Sequence, residues 1–375
     1  MEKSTFLYNE IYNDILNDII NSVYSAEKQL PTEQELQVKY NVSRITIKRA
    51  MDKLCNEGYI ERYRGKGSFI NKDFIKHIEE NQRKGEEREI KQNNIYGLVI
   101  SDFSDSYGSK LLAGMEEVAS EKGAFIVVKK TLGNQANESK AIRELVKLNV
   151  NGIGILPVHG ENYNSDIMEL LIKKFPMVIL DRKLKGLPVP FIGTNNFEAS
   201  RMAINKLILQ GHKNIAIVST NLDGTSVIED RIAGVKQSYE DNFLIFNSHH
   251  IFSDIESTKP EMKSKENVRF DVEKVKNFIE KNKEITAALC LEYNIACIVK
   301  KAVEELGRRV PDDFSIICFD APENIVEDYY FTHIRQSEYE MGRKAMEILL
   351  KKKEGVTDTY LDIEFIEGKT VSNTK

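Results

Sequence analysis

The sequence predicts two α/β units of different kinds: a small winged helix-turn-helix, then a larger body of strand-helix repeats built on parallel sheet. Residues 30–70, LPTEQELQVKYNVSRITIKRAMDKLCNEGYIERYRGKGSFI, read as helix, turn, second helix and a two-stranded ribbon with a basic glycine tip. Beyond residue 94, short apolar runs alternate with helical periodicity, which means parallel sheet with helices on both faces. Between Asn71 and Asn94 lies KDFIKHIEENQRKGEEREIKQN, dense in charge and broken by Gly85. It has too few apolar residues to fold alone and reads as a linker. The predicted organisation is 1–71, linker 72–93, and body 94–375.

In the first unit, Pro31 suits the turn before a helix, and Thr32 with Glu35 makes an S/T-x-x-E capping box that satisfies free amides at the helix start. Leu36, Val38 and Tyr40 are expected to make apolar contact before the break at Asn41. Ser43 caps a second helix whose apolar side runs Ile47, Ala50, Met51, Leu54, while Arg44, Thr46, Lys48 and Arg49 begin the other face. Gly58 is a good left-handed terminator. Residues 59–63 and 68–70 then pair around Arg64-Gly65-Lys66-Gly67.

Those residue types suit DNA. Phosphates are met by Lys, Arg, small hydroxyls and bare amides, and base edges are read near the start of an inserted helix. From Val42 to Lys66 the cations Arg44, Lys48, Arg49, Lys53, Arg62, Arg64 and Lys66 outnumber Asp52, Glu57 and Glu61, in a chain of net charge −5. A basic helix face is commonly just solvated, and Gly-x-Gly commonly just a hairpin. The agreement of caps, apolar spacing and basic tip favours DNA.

The segment closely resembles the GntR family's DNA-binding domain over about residues 6–71, with a first helix carrying Ile11, Ile15, Ile19, Ile20 and Val23. The family pattern is met by Leu30 to Glu33, Leu36, Val42 to Arg44, Thr46 to Lys48, Ala50, Leu54, Gly65, Gly67, Ser68 and Phe69. The resemblance implies that Ser43, Arg44, Thr46 and Lys48 touch the groove and that Arg64, Gly65 and Lys66 form the wing tip. Thr32, Gln34, Ile45 and Arg49 complete the candidate DNA-binding set. Gln34 and Lys48 stand where Arg is commoner in the family. Lys is a point charge and not a bidentate fork, so the operator of close relatives need not transfer.

At 375 residues the chain can bury more than one core. Its first stretch, MEKSTFLYNEIYNDI, lacks an apolar run of signal type, and no segment approaches the roughly 20 apolar residues of a membrane span. A cytoplasmic protein is expected. Cys55, Cys290, Cys297 and Cys318 lie in separate apolar contexts without metal-ligand spacing, so core packing is their default.

In the body, strands are expected at 95–100, 124–128, 152–156, 177–180, 191–193, 215–218, 286–291 and 314–319. Helices are expected at 108–122, about 135–148, 165–174, 195–210, 225–242 and 293–306, with 253–269 as a polar loop or short insertion. Ligands in such sheets bind at the carboxyl ends of strands. No catalytic signature appears: Gly152-x-Gly154 sits inside a strand, and Walker, G-x-S-x-G and H-E-x-x-H motifs are missing. No catalytic residue, cofactor or metal is expected.

The segments LDRKLKGLPVPFIGTNNFEASRMAINKLILQGHKNIAIV (180–218), DRIAGV (230–235) and ELGRRVPDDFSIICFDA (305–321) resemble the LacI/GalR regulator core, a two-lobed fold like that of periplasmic sugar-binding proteins. A GntR-type head on such a body is the arrangement of the arabinose-repressor subfamily. The resemblance implies a homodimer on a pseudo-palindromic double-stranded operator, released by a small effector, usually a sugar, bound between the lobes. It implies lobe 1 at about 94–190 plus 322–336 and lobe 2 at about 191–321 plus 337–375. Arg231 falls where the family holds ligand hydroxyls with an Arg fork. Asp102, Phe103, Asp181 and Asp320 end strands, where a carboxylate can accept sugar hydroxyls and an aromatic can stack on a sugar face. Each acid also has the plain reading of a loop cap. Relatives carry Asn-Asp where this chain has Glu292-Tyr293, so Glu292 serving one position early and Tyr293 reshaping the pocket both stand as readings. Repression is the family habit; activation and a non-sugar effector are the alternatives. Aminotransferase-like bodies also follow GntR heads, but need more chain and a cofactor lysine. A transport binding protein needs an export signal and no basic head.

Overall fold

The computed structural model describes residues 2–20, 24, 29–71, 74, 94–158, 164–221, 225–322, 330–351 and 357–374. The chain divides into two compact units, Met1–Gln92 and Asn93–Lys375. Apart from Phe74, the linker read at 72–93 lies outside the described residues, as do Val23 and the side chain of Ile20.

The first unit contains α1 (Glu2–Ile20), α2 (Glu33–Tyr40), α3 (Arg44–Asn56) and the antiparallel pair β1 (Ile60–Tyr63) and β2 (Gly67–Ile70). The capping box forms: Thr32 Oγ1 accepts from the Glu35 amide at 3.3 Å, and Glu35 Oε2 accepts from the Thr32 amide at 2.7 Å. Asn41 makes the turn in the left-handed region at φ 51°, and Ser43 Oγ caps α3 by accepting from Thr46 N at 3.4 Å. Ile11, Ile15 and Ile19 pack with Leu36, Ile47, Ala50, Met51 and Leu54 in one small core. Val38 does not join it and is exposed, because it stands two residues from buried Leu36 and so faces the opposite side of the helix.

Among the described residues the second unit holds two six-stranded sheets. The first has the order β13-β7-β6-β5-β3-β4 and is wholly parallel. Its strands are β3 (Ile95–Ile100), β4 (Phe125–Lys130), β5 (Ile153–Ile155), β6 (Met177–Leu180), β7 (Phe191–Thr194) and β13 (Asp358–Leu361). The second has the order β14-β12-β11-β10-β8-β9 and is parallel except for β14. Its strands are β8 (Ile215–Val218), β9 (Ile251–Phe252), β10 (Ala287–Cys290), β11 (Ser315–Phe319), β12 (Thr332–Gln336) and β14 (Ile363–Ile366). Buried apolar clusters lie on both faces of each sheet, the burial that near-continuous apolar strands require. The first lobe's helices are α4 (Ser109–Glu121), α5 (Gln135–Lys147), α6 (Ser165–Ile172) and α11 (Glu338–Lys351). Those of the second lobe are α7 (Asn196–Leu209), α8 (Ser226–Asp241), α9 (Lys265–Lys281) and α10 (Tyr293–Glu305).

The lobe boundaries differ from expectation. Residues 191–194 complete the first sheet as β7, so lobe 2 starts after them. Residues 332–336 belong to lobe 2, because β12 pairs in parallel with β11. The chain then returns: Met341, Ala345, Met346 and Leu349 of α11 fill the core of lobe 1, and β13 pairs with β7. Three passages between the sheets result, at Asn195, Ser337 and Asp362. The polar stretch at 253–269 also differs, since α9 starts inside it, capped by Ser264 Oγ on Asn267 N at 3.0 Å. Apart from buried Asp271, which accepts from the Glu256 and Ser257 amides, its charged residues are exposed or half-buried and mask a narrow apolar stripe of Val272, Val275 and Ile279. Cys290 and Cys318 are buried register partners on adjacent strands, while Cys55 and Cys297 are half-buried.

Helix pairs brace each lobe at glycines. A Cβ on Gly114 of α4 would stand 2.1 Å from the Tyr339 carbonyl oxygen, and one on Gly342 of α11 would stand 2.0 Å from that of Leu111. In lobe 2 a Cβ on Gly234 of α8 would meet the Phe197 carbonyl oxygen at 2.1 Å. Backbone cannot yield as a side-chain tip can, so Gly342→Ala is expected to cost about 1–3 kcal/mol or more. Chemical denaturation monitored by circular dichroism would measure it, and an unchanged midpoint would refute the close approach.

Candidate nucleic-acid interface and ligand cleft

In the first unit, α3 places Ile45, Lys48 and Arg49 along one exposed ridge by i, i+3, i+4 spacing. Arg44 Nε lies 3.5 Å from Glu33 Oε2, and Arg62 reaches Asp52 at 2.6 Å and Glu33 at 3.8 Å. Such exposed pairs are worth about 1 kcal/mol or less and yield readily to a phosphate. Lys48, Arg49, Arg64 and Lys66 have no carboxylate partner among the described residues. Gly65 shapes the exposed tip at φ 77°, and Thr32 and Gln34 are exposed at the start of α2. Thr46 is half-buried, its hydroxyl 2.9 Å from that of Ser43, so both serve the helix cap.

In the second unit the ends of β6 and β11 face one another. Asp181 and Asp320 follow these strands at φ 60° and 57°, a conformation uncommon for residues other than glycine and concentrated at functional sites. Asp181 is buried and its Oδ1 has no hydrogen-bond partner among the described residues. Asp320 accepts from Gln336 N at 3.1 Å and Gln336 Nε2 at 2.7 Å, and burial raises its carboxyl to about 6. Arg231 on α8 is only 6% exposed. Its Nε donates to Asn196 Oδ1 at 2.8 Å, its Nη1 donates to the Leu291 carbonyl at 2.7 Å, and its guanidinium lies 3.5 Å from the centre of the Phe319 ring. Burial lowers Arg231, against the pull of Asp181, Asp320 and Glu292. Glu292 stands at the N-cap position of α10 at the cleft mouth without a side-chain capping bond among the described residues; desolvation raises its carboxyl, and Arg182 and Arg231 oppose.

Two expected ligand residues are otherwise engaged. Asp102 accepts from Lys130 at 3.2 Å and from Lys263, across the lobes, at 2.8 Å. Burial alone would raise its carboxyl; the two lysines outweigh that and hold it low. Beside it, Phe103 is partly exposed with Lys130 Nζ 5.5 Å above its ring. Tyr293 is turned from the cleft: its ring meets Phe331 edge-on at 5.7 Å and its phenol lies beside Cys297. As the first residue of α10 it packs on the apolar core of lobe 2.

Several cleft groups escaped the sequence reading. Glu338 is 4% exposed and accepts from the Gly108 amide. Burial, then Asp320, raise its carboxyl to about 8. Gln336 Oε1 and Tyr107 OH are buried without hydrogen-bond partners among the described residues. Arg182 donates to the Pro157 carbonyl at 2.9 Å. Arg182 and Phe319 adjoin Asp181 and Asp320 in sequence, a usable signal. Tyr107, Asn196, Gln336 and Glu338 had none, because they join the site through loop and crossing geometry.

Residues 96–356 match the family described as periplasmic binding protein domain, and residues 7–70 match bacterial regulatory proteins, gntR family. The arabinose metabolism transcriptional repressor of Geobacillus stearothermophilus is 23% identical over 336 residues, covering 87% of this chain and 85% of that one. Among solved structures, the transcription regulator CcpA of Lactococcus lactis aligns with TM-score 0.64 at 18% identity, over 75% of this chain and 100% of that one. A LacI family regulator from Enterococcus faecium with bound ribose aligns with TM-score 0.62 at 18% identity, over 75% and 100%.

Because the Glu338 carboxyl is raised to about 8, the folded state holds that proton more tightly than the unfolded chain. The resulting stability is present below the ordinary glutamate range and is lost as pH rises through about 8. Glu338→Gln keeps an acceptor for the Gly108 amide without a titrating group. Its unfolding free energy is therefore expected to fall less than that of wild type between about pH 5 and about pH 9, by on the order of a few kcal/mol, which denaturant titration at each pH would measure. Parallel profiles would exclude Glu338 as the group responsible.

Proposed function

Since the chain belongs to the periplasmic binding protein domain family and carries a gntR-family regulatory head, we propose that it is a transcriptional repressor of carbohydrate-utilisation genes, released from its operator by a small effector. The observation that carries this reading is the union, on one chain, of a helix-and-wing unit whose Lys48, Arg49, Arg64 and Lys66 have no carboxylate partner among the described residues and a two-lobed cleft with buried polar groups that have no hydrogen-bond partner among them. It is a binding protein and not an enzyme on this reading, and acting on DNA it works in the cytoplasm.

Asp181 Oδ1, Gln336 Oε1 and Tyr107 OH would receive or share the hydroxyl protons of a sugar or sugar derivative, with Arg231 donating and Glu292 at the mouth. The relative that represses arabinose metabolism and the structural neighbour holding ribose support a sugar. Two copies would present two heads to a roughly palindromic operator. Effector would favour one lobe arrangement over another and so weaken DNA binding by linkage.

A thermal-shift screen of sugars and sugar derivatives should find a compound that raises the wild-type melting temperature and weakens operator binding. Arg231→Lys, which keeps charge but loses the fork, should lose that shift. A stabilising compound that leaves DNA affinity unchanged would refute effector control. For the head, Arg64→Ala and Lys66→Ala should each lower the slope of log affinity against log salt by about 1. Unchanged slopes would remove the wing from the interface.

A further inference from the structure

Ile45 stands out among the side chains of the head. It lies in the first turn of α3, is 68% exposed, and takes no part in the unit's core. Its neighbours on the same ridge are Lys48 and Arg49, one turn on, and Arg44 precedes it. An apolar side chain set among cations is badly placed for an apolar protein partner, which would have to desolvate those charges. It is well placed for a polyanion that offers an apolar atom at the bottom of a charged groove. Duplex DNA does this at one point only: the 5-methyl group of thymine in the major groove, between two phosphate backbones. The first turn of an inserted helix is the part that reaches base edges.

We propose that Ile45 is a specificity residue that reads the thymine 5-methyl group by apolar contact, while Lys48 and Arg49 hold the flanking phosphates. This rests on the DNA-binding reading of the head. The chemistry separates the roles: the cations set affinity for any duplex, whereas Ile45 separates thymine from bases that lack the methyl. Its exposure also means that shortening it removes no core packing.

The test uses the full chain and a duplex enriched from a random pool by repeated selection. Each thymine of that duplex is replaced singly by deoxyuridine, which removes the methyl and leaves every hydrogen-bonding group. Wild type should lose about fourfold in affinity at one thymine or its symmetry mate, the value of one buried methylene-sized group. Ile45→Ala should bind the thymine and deoxyuridine duplexes alike, and Ile45→Val should retain most of the discrimination. The proposal is overturned if no deoxyuridine costs wild type more than about twofold, or if Ile45→Ala keeps the full penalty. Failure of the underlying DNA reading looks different: selection enriches no sequence, and affinity shows no salt dependence.

Discussion

Three passages of the chain between two sheets, at Asn195, Ser337 and Asp362, are the constraint on which the body depends. Each lobe is a parallel sheet that must be covered on both faces, and each borrows elements from distant sequence to achieve it. Lobe 1 receives α11 and β13 late in the chain, and lobe 2 receives β12 before them and β14 after. The passages bring the carboxyl ends of both sheets together, and that juxtaposition makes a cleft lined by strand-end residues. The glycines at 114 and 342 let α4 and α11 approach to backbone contact, so the returning segment is locked into lobe 1.

The cleft's electrostatics follow from that geometry. Asp181 and Asp320 sit buried near the Arg231 guanidinium, Asp181 also near that of Arg182, and buried Glu338 lies beside Asp320. Burial of carboxylates disfavours the charged form, which is why Asp320 and Glu338 hold protons more tightly than free acids. Gln336 and Glu338 flank Ser337, the second passage. A molecule that hydrogen-bonds Gln336 therefore touches the segment about which the lobes would move. Lys263 with Asp102, and Lys185 with Glu229, add ion pairs between the lobes at 2.8 Å each. Exposed pairs of this kind contribute little to stability, so they fit a joint that opens better than one that is welded.

The head follows separate physics. Its core is small, and local devices set its geometry: the Thr32–Glu35 box, the Ser43 cap and the left-handed turn at Asn41. These fix where α3 starts and which side chains its first turn presents. Because Ile47, Ala50, Met51 and Leu54 are consumed by the core, the outward ridge is left to Ile45, Lys48 and Arg49.

The head was legible because its contacts are close in sequence. Capping boxes, helix periodicity and turn glycines act within a few residues, so α2, α3 and the wing could be placed from the string, and Val38 failed only in which side of α2 it faces. Most body strands were legible for a related reason: strands buried on both faces must be apolar throughout. Where charge covers a helix the signal faded, as in Lys265–Lys281, whose buried stripe is narrow. Arg231, Asp181 and Asp320 could be named as cleft residues because they sit on or just beyond readable elements. Assignment of segments to lobes, the capture of Asp102 by Lys130 and Lys263, the turning of Tyr293 into the core, and the roles of Glu338 and Gln336 were decided by tertiary structure alone. Each depends on residues far apart in the chain, such as Gly108 beside Glu338, and no local pattern records which distant strand end a passage will face. The amino-acid order determined the elements and their chemistry; the three passages between sheets determined which of those residues meet.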